Sequence, residues 1–255
     1  MGDRLKGKVV ILTGVAGGIG TAFAKALVNE GAKLTISDIK PFDEVTKDLE
    51  KAGGEVLSLK VDITSEEDTK MMAAKTIEKF GRIDILINNA AIFGGLTLTP
   101  VLDIPVDLYR KVIDTNIVGT FICCKAVLPQ MVKQKSGNII NIGSTIWILA
   151  KLPLLHYVTG KAAMMGFTRC LAGDPTLNTN NIRCNSLMPG GTWDEATLGI
   201  LGDIPGVEEK LIADQNIHRR EMPEDLVGPL LFLCSDDSAI MSGNSVAADA
   251  GLCPW

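Results

Sequence analysis

An α/β fold is what this chain of 255 residues predicts: one doubly wound parallel sheet of about seven strands, covered on both faces by helices. Three observations point there. Short apolar runs and helix-periodic segments alternate strictly along the chain. The apolar runs lack the in-and-out alternation of a half-exposed strand, which means burial on both faces. No linker, composition shift, repeat or low-complexity tract breaks the pattern, so residues 1–255 read as a single domain.

The elements follow in order. Residues 8–13, Lys-Val-Val-Ile-Leu-Thr, form a first strand that ends at glycines. Residues 21–30 have helical spacing and stop at Gly31, a residue suited to the left-handed turn that ends a helix. A second strand occupies 33–38, a helix over 43–52 ends at Gly53-Gly54, and a third strand runs over 55–61. Ser65 and Asp68 make a Ser-x-x-Asp cap for a helix that reaches Phe80. Residues 83–88 are the fourth strand, about 105–133 a long helix, and 137–143 the fifth strand. A further helix carries Tyr157 and Lys161 and runs to about Ala172. Pro175 then prevents its continuation, and 176–181 reads as a polar loop. Strands at 181–187 and 246–248 complete the sheet.

Composition narrows the partners. A hydrophobic fraction of 46% with 22% charged residues is ordinary for a globular core. A net charge of −5 argues against nucleic acid or an anionic membrane as the main partner. No signal-type apolar segment and no uninterrupted apolar stretch of membrane-spanning length is expected, which places the chain in the cytoplasm. Lys6 stands where a myristoylation motif wants Ser or Thr. Six cysteines show no zinc-type spacing, and the two histidines lie far apart, so no metal site is expected. The thiols read as small apolar residues packed in a reducing compartment.

Two stretches carry chemistry. The first is Thr13-Gly14-Val15-Ala16-Gly17-Gly18-Ile19-Gly20, between a strand and a helix. Glycines there let a pyrophosphate approach the helix N-terminus, where free N–H groups and the dipole favour an anion. Asp38 ends the second strand, where a carboxylate accepts hydrogen bonds from adenosine ribose hydroxyls. Val15 and Ala16 place no cation in the turn for a 2′-phosphate, and Lys40 lies past Asp38, so the balance favours NAD over NADP. The second stretch is 144–161. On a helix, Tyr157 and Lys161 sit one turn apart on one face. Lowering a phenol from about 10 to about 7 needs roughly 4 kcal/mol. An ammonium at about 4 Å with an effective dielectric of about 20 supplies roughly that amount.

Taken together, these residues resemble the short-chain dehydrogenases/reductases over nearly the whole chain. The shared features are Thr13-Gly14-x-x-x-Gly18-x-Gly20, Asp62, Asn88-Asn89-Ala90, Asn116, Ser144, Tyr157-x-x-x-Lys161 and Pro189-Gly190, in family order and spacing. The resemblance implies a Rossmann-type sheet and hydride transfer to or from NAD. It implies that Tyr157 is the general acid/base and that Ser144 hydrogen-bonds the same substrate oxygen. Lys161 holds the nicotinamide ribose and lowers the Tyr157 pKa, and Asn116 anchors a water that relays protons to Lys161. Gly14, Gly17, Gly18, Ile19 and Gly20 cradle the pyrophosphate, Asp62 and Ile63 contact adenine, and Asn89 and Ala90 lie beside the adenosine-side ribose. Pro189 and Gly190 back the nicotinamide, and Thr192 lies near its carboxamide. Three departures stand out: Ala91 where the family has Gly, Asp194 where it often has Thr, and the Gly173-Asp174-Pro175 interruption. Whether Thr192 or Asp194 meets the carboxamide is left open.

A substrate wall is expected from Thr145, Ile146, Trp147, Leu149, Leu152, Leu154 and Leu155, and from a loop over about 191–218 with Trp193, Leu198, Ile200 and Leu201. Such a wall suits a neutral, hydrophobic or aromatic secondary alcohol or its ketone. From 191 to 207 there is no Lys or Arg, and only Lys151 lies within range, so an anionic substrate finds little to pair with. The stretch 144–161 also resembles that of NAD-dependent 1-phenylethanol dehydrogenases, through its Ser-Thr, aromatic and His-Tyr placement. The alternatives are a 3-oxoacyl-carrier-protein-type reductase, a hydroxysteroid-type dehydrogenase, or an idle nucleotide-sensing protein on the same fold. The resemblance implies a homotetramer. Apolar residues spread around two helices, at 121–128 and 162–167, and the terminal Trp255 point to further covered faces.

Overall fold

The computed structural model of the protein describes residues 2–253. Its seven strands are β1 (Val9–Thr13), β2 (Lys33–Asp38), β3 (Val56–Lys60), β4 (Ile85–Asn88), β5 (Gly137–Ile142), β6 (Ile182–Pro189) and β7 (Ser245–Ala248). All pair in parallel, in the order β3-β2-β1-β4-β5-β6-β7. Every residue of β1 and β4 is buried, as a two-faced sheet requires. Period-two geometry divides their side chains. Val10, Leu12, Ile85 and Ile87 join one core with Phe23 and Leu27 of helix α1 (Gly18–Asn29). Ile11 and Leu86 join the other, with Met72 of α3 (Glu66–Phe80). Helix α2 (Asp43–Lys51) lies between β2 and β3. Ser65 caps α3 by accepting the Asp68 N–H at 3.1 Å, as its sequence pattern predicts.

One continuous helix, Val106–Gln134, follows β4. It comprises α4 (Val106–Ile113), a π-helical stretch (Asp114–Gly119) and α5 (Thr120–Gln134). At 29 residues it is long and apolar enough by composition to cross a membrane, although Asp107, Arg110, Lys111, Asp114, Lys125 and Lys133 interrupt it. Its apolarity has a local cause. Cys123, Cys124, Val127 and Met131 are buried in the second core, while Asp107, Arg110, Lys111, Lys125 and Lys133 stay exposed on the other side.

After β5 come α6 (Ile146–Leu149) and α7 (Leu155–Ala172). Pro175 does not open a plain loop. It begins the single turn α8 (Pro175–Asn178), capped by Asp174 accepting Thr176 N–H at 2.8 Å and anchored by buried Leu177. The expected loop over 191–218 is likewise helical, containing α9 (Glu195–Leu201) and α10 (Val207–Asp214). Asp194 caps α9 by accepting Thr197 N–H at 3.0 Å. A 3-10 turn (Pro223–Leu226) leads into α11 (Val227–Cys234), whose Leu230, Leu231 and Leu233 close the first core. Five cysteines are buried, but Cys170 is exposed on α7, so it is not a packed residue of this core.

Candidate active site

From β1 the chain proceeds outward through β2 and β3 and then crosses back to lay β4 on the other side of β1, so a crevice opens at the carboxyl ends of β1 and β4. Gly14 sits there at φ +73, and a methyl group on it would lie 2.5 Å from Ala90 Cα. No side chain caps α1 at Gly17, and no acidic residue lies in its first turn. Its leading N–H groups and dipole are thus left for an anion. A Cβ at Gly17 would meet open space. Thr13 and Asn89 brace this turn. Thr13 Oγ1 accepts the Asn89 and Ala90 N–H groups at 3.2 and 3.1 Å, and Asn89 Nδ2 donates to the Thr13 and Gly14 carbonyls at 3.1 and 2.7 Å.

Asp38 stands at one end of a cleft of about 740 Å³. Its carboxylate accepts Ala16 N–H and Lys40 N–H, each at 2.9 Å, which fixes it while leaving lone pairs facing the cleft. Asp62 holds its own turn through Thr64 N–H and Oγ1, at 2.9 and 2.6 Å. Ile63 rests against Gly119, where a methyl would approach its Cδ1 to 2.8 Å. These groups make a flat, partly apolar pocket with a carboxylate at its edge.

Ser144, Tyr157 and Lys161 converge at the other end. Ser144 Oγ accepts Ile146 N–H at 3.2 Å and donates to Pro189 O at 3.3 Å, a long bond that leaves its proton easily redirected. Lys161 Nζ donates to Ile142 O at 2.7 Å and lies 5.6 Å from the Tyr157 ring centre. Burial strips water from the ammonium and brings Lys161 down to about 8. Burial, with the charge of Asp194 added, pushes the Tyr157 phenol well above its usual range. The expectation that Lys161 lowers the phenol is corrected for the protein alone. Burial outweighs any help from the ammonium, and the Asp194 charge adds to it. Phe93 packs on Tyr157 with ring centres 4.7 Å apart.

Asn116 falls within the π stretch, a helical distortion often found at functional positions. Its amide is engaged at both ends: Oδ1 accepts Ile92 N–H at 2.7 Å and Nδ2 donates to Ile92 O at 3.2 Å. It therefore pins the segment that carries Phe93. Below the site, Asn88 Nδ2 donates to Asn141 Oδ1, and Asn141 Nδ2 to Thr168 Oγ1, joining β4, β5 and α7.

A buried carboxylate, Glu221, governs the segment after β6. It accepts Gly190 N–H at 3.2 Å and Thr192 Oγ1–H at 2.5 Å. Burial pushes Glu221 up to about 7, against those two hydrogen bonds and with help from the charges of Asp249 and Asp225. A methyl on Gly190 would lie 2.8 Å from both Glu221 Oε2 and Asp249 Cβ, so only glycine fits there.

A family model described as enoyl-(acyl carrier protein) reductase matches residues 14–253. An uncharacterized oxidoreductase of Mycobacterium tuberculosis is 36% identical over 247 residues, 96% of either chain. The chain belongs to the short-chain dehydrogenase/reductase family. It is an oxidoreductase of that family, and solved structures agree. A 7alpha-hydroxysteroid dehydrogenase complexed with NADH and 7-oxo glycochenodeoxycholic acid superposes with a TM-score of 0.90 at 32% identity, covering 97% of this chain and 95% of that one. An NAD+-bound xylitol dehydrogenase gives 0.88 at 30% identity, covering 96% and 98%.

In this short-chain dehydrogenase/reductase the cleft gathers most of the expected residues: Gly14, Gly17, Ile19, Gly20, Asp38, Asp62, Ile63, Asn89, Ala90, Pro189, Gly190 and Thr192 all line it. Gly18 does not; it faces Asp194, whose Cβ would be 2.8 Å from a methyl there. Thr145 and Leu154 line the substrate end, but Trp147 does not. Trp193 is buried away from the cleft, its ring 5.2 Å beneath the Arg220 guanidinium. Leu155 and Leu198 are turned outward and exposed. Ala91 is exposed at a negative φ, so its methyl strains nothing. His156 is buried, and its Nδ1 accepts Tyr157 N–H at 2.9 Å. The sequence reading missed Phe93, Leu211, Leu252 and Glu221, and also Arg110 and Lys111, two cations that line the cleft where only Lys151 was considered. The position of Phe93 just past β4 is a signal that marks it; Leu252 and Glu221 offer none.

Proposed function

We propose that this chain is an NAD-dependent dehydrogenase/reductase acting on a neutral, hydrophobic or aromatic secondary alcohol and its ketone. The observation that carries this reading is one continuous cleft. It runs from Asp38, past the uncapped α1 terminus, to Ser144, Tyr157 and Lys161, and then onto an apolar wall of Phe93, Leu149, Leu152, Leu154, Ile200 and Leu252. The residues fit NAD: Asp38 faces the ribose position with a carboxylate, and the α1 N–H groups await a pyrophosphate.

Bound NAD supplies the nicotinamide carbon that takes or gives the hydride. The chain's own groups manage the proton and the geometry. In oxidation Tyr157 passes its own phenol proton to the unprotonated Lys161 amine as it takes the hydroxyl proton and the carbinol C–H bond gives up its hydride, leaving the ketone. Lys161 can accept that proton because burial brings it down to about 8, so its neutral fraction grows as pH rises through that value. Ser144 turns its O–H from Pro189 O to the substrate oxygen. Reduction is the reverse. Asn116 holds the Phe93 segment against Tyr157, and water is kept from the reacting atoms by the apolar wall.

The test is turnover of NAD and NADH on a panel of small aliphatic, aromatic and anionic alcohols and ketones. Aromatic or hydrophobic secondary substrates should lead; turnover confined to anionic ones, or none at all, overturns the reading. A homotetramer is part of the same proposal. Val118 and Phe121 are 41% and 52% exposed, and Ala163 and Gly166 present small residues on the open face of α7. Light scattering showing a stable, active monomer would exclude it. Trp255, expected to be buried against a neighbouring subunit, lies outside the described residues. The unpaired cysteines among the described residues support a reducing, cytoplasmic setting.

A further inference from the structure

We propose that Asp194 distinguishes the two oxidation states of the coenzyme: its carboxylate, which lines the cleft, favours the positively charged oxidised nicotinamide over the neutral reduced ring. This rests on the reading of the cleft as an NAD site.

The fold holds this carboxylate between the two ends of the cleft. Thr145 N–H donates to Pro189 O at 2.9 Å, which ties the end of β6 to the segment that starts at Ser144. Beyond it, Trp193 N–H donates to Glu221 O at 2.8 Å and Asp194 N–H to Thr192 O at 3.2 Å, so the chain turns tightly and α9 begins at once. Asp194 Oδ1 accepts Thr197 N–H at 3.0 Å. Its Oδ2 lies 3.3 Å from the place a methyl on Gly18 would take. Two residues on, Ala196 Cβ lies 3.3 Å from the place a methyl on Gly94 would take. The start of α9 thus straps across the cleft, from the glycine turn of α1 to the segment after β4. Phe93, beside Gly94, packs on Tyr157. The half-buried carboxylate therefore stands against the glycine turn, and its charge also reaches the acid/base phenol at the reacting end.

A cap alone does not call for that charge. Asparagine and serine cap a helix as well as aspartate does, since the cap needs only an oxygen acceptor. Glu195, in the first turn, already meets the α9 dipole. Nor is the charge neutralised nearby. From 191 to 207 there is no Lys or Arg, and among the described residues Asp194 forms no ion pair. Lys161 gives its ammonium to Ile142 O, and Arg110 pairs with Asp107. A carboxylate beside a turn that receives a diphosphate repels every dinucleotide. Attraction is available from the oxidised form alone, whose pyridinium ring carries one positive charge. Hydride transfer removes that charge. Asp194 therefore draws the bound equilibrium toward alcohol and oxidised coenzyme, the direction of ketone reduction.

The experiment measures calorimetric Kd values of NAD and NADH for wild type, Asp194→Asn and Asp194→Glu. It is run at about pH 6.5, below the value of about 8 at which Lys161 titrates, so that the ammonium is charged throughout. Both dinucleotides carry the same adenosine, riboses and diphosphate. A change in packing, in the α9 cap or in repulsion of the diphosphate moves both Kd values alike and cancels in their ratio. One unit charge pair at an effective dielectric of about 20 is worth about tenfold even at about 12 Å. Asp194→Asn keeps the cap and loses the charge, so the ratio of the NAD Kd to the NADH Kd should rise about tenfold. Asp194→Glu keeps the charge and should hold the ratio within about twofold of wild type. An unchanged ratio in Asp194→Asn, or one that moves toward NAD, overturns the inference; so does a glutamate variant that matches the asparagine one. Should Asp194→Asn not fold, Asp194→Ser, which caps through its hydroxyl, takes its place and is read in the same way. Failure of wild type to bind either dinucleotide overturns the coenzyme reading itself and is seen before any variant is made.

Discussion

Glu221 should impose a pH dependence on folding, and Glu221→Gln should remove it. Burial raises this carboxyl from an ordinary 4.5 to about 7. Between those values the folded chain holds a proton that the unfolded chain releases. The folded state binds more protons, so its stability falls as pH rises through that window. The displacement of about 2.5 units, at about 1.36 kcal/mol each, corresponds to roughly 3 kcal/mol. Urea denaturation of the coenzyme-free protein near pH 5 and near pH 8 measures it. Wild type should lose about 3 kcal/mol more than Glu221→Gln over that interval, since other titrating groups cancel in the difference. Equal losses in the two proteins would refute the picture of a carboxylate buried without a cation.

Other outcomes follow from the remaining residues of the cleft. Tyr157→Phe should lower turnover by about 10²–10⁴-fold while NADH still binds, as titrated by fluorescence; near-normal turnover would remove Tyr157 from the reaction. NAD should be preferred over NADP by about 10²-fold in kcat/KM, roughly 3 kcal/mol, because a 2′-phosphate meets the Asp38 charge. Equal values for the two would count against that role of Asp38. Alcohol oxidation must discard a proton, so kcat/KM should rise with pH through an apparent value near 8, where Lys161 titrates, and reduction should show the opposite trend. A flat oxidation profile from about pH 6 to about pH 10, with chemistry limiting, contradicts this assignment.

The sheet is legible in the sequence because its strands are buried on both faces. Val9–Thr13 therefore stands out as a nearly uninterrupted apolar run between glycines, and Gly137–Ile142 as a short isoleucine-rich run that ends at Gly143. The same condition hides what lies between β6 and β7. Helices α9 and α10 each span barely two turns and carry apolar residues to a cleft rather than to a sheet, so neither shows a sustained period. The π stretch is also invisible, since Asp114–Gly119 differs from its neighbours in hydrogen bonding and not in composition. Trp147 and Trp193 mislead for a different reason. A large aromatic next to a catalytic segment looks like a substrate wall, yet Trp193 is consumed by packing under Arg220.

Local spacing identifies Tyr157 and Lys161 as a pair but cannot say what each does to the other. The outcome depends on groups from other elements. Ile142 O, at the end of β5, takes the Lys161 ammonium at 2.7 Å, and burial carries that lysine toward neutrality. Asp194, the cap of α9, sits against Gly18 and adds its charge to the burial that makes the phenol less acidic. One carboxylate thus touches the glycine turn and bears on the acid/base tyrosine. An anion held at the α1 terminus repels it. The acidity of Tyr157 and the occupancy of the glycine turn are therefore linked through a residue that belongs to neither motif.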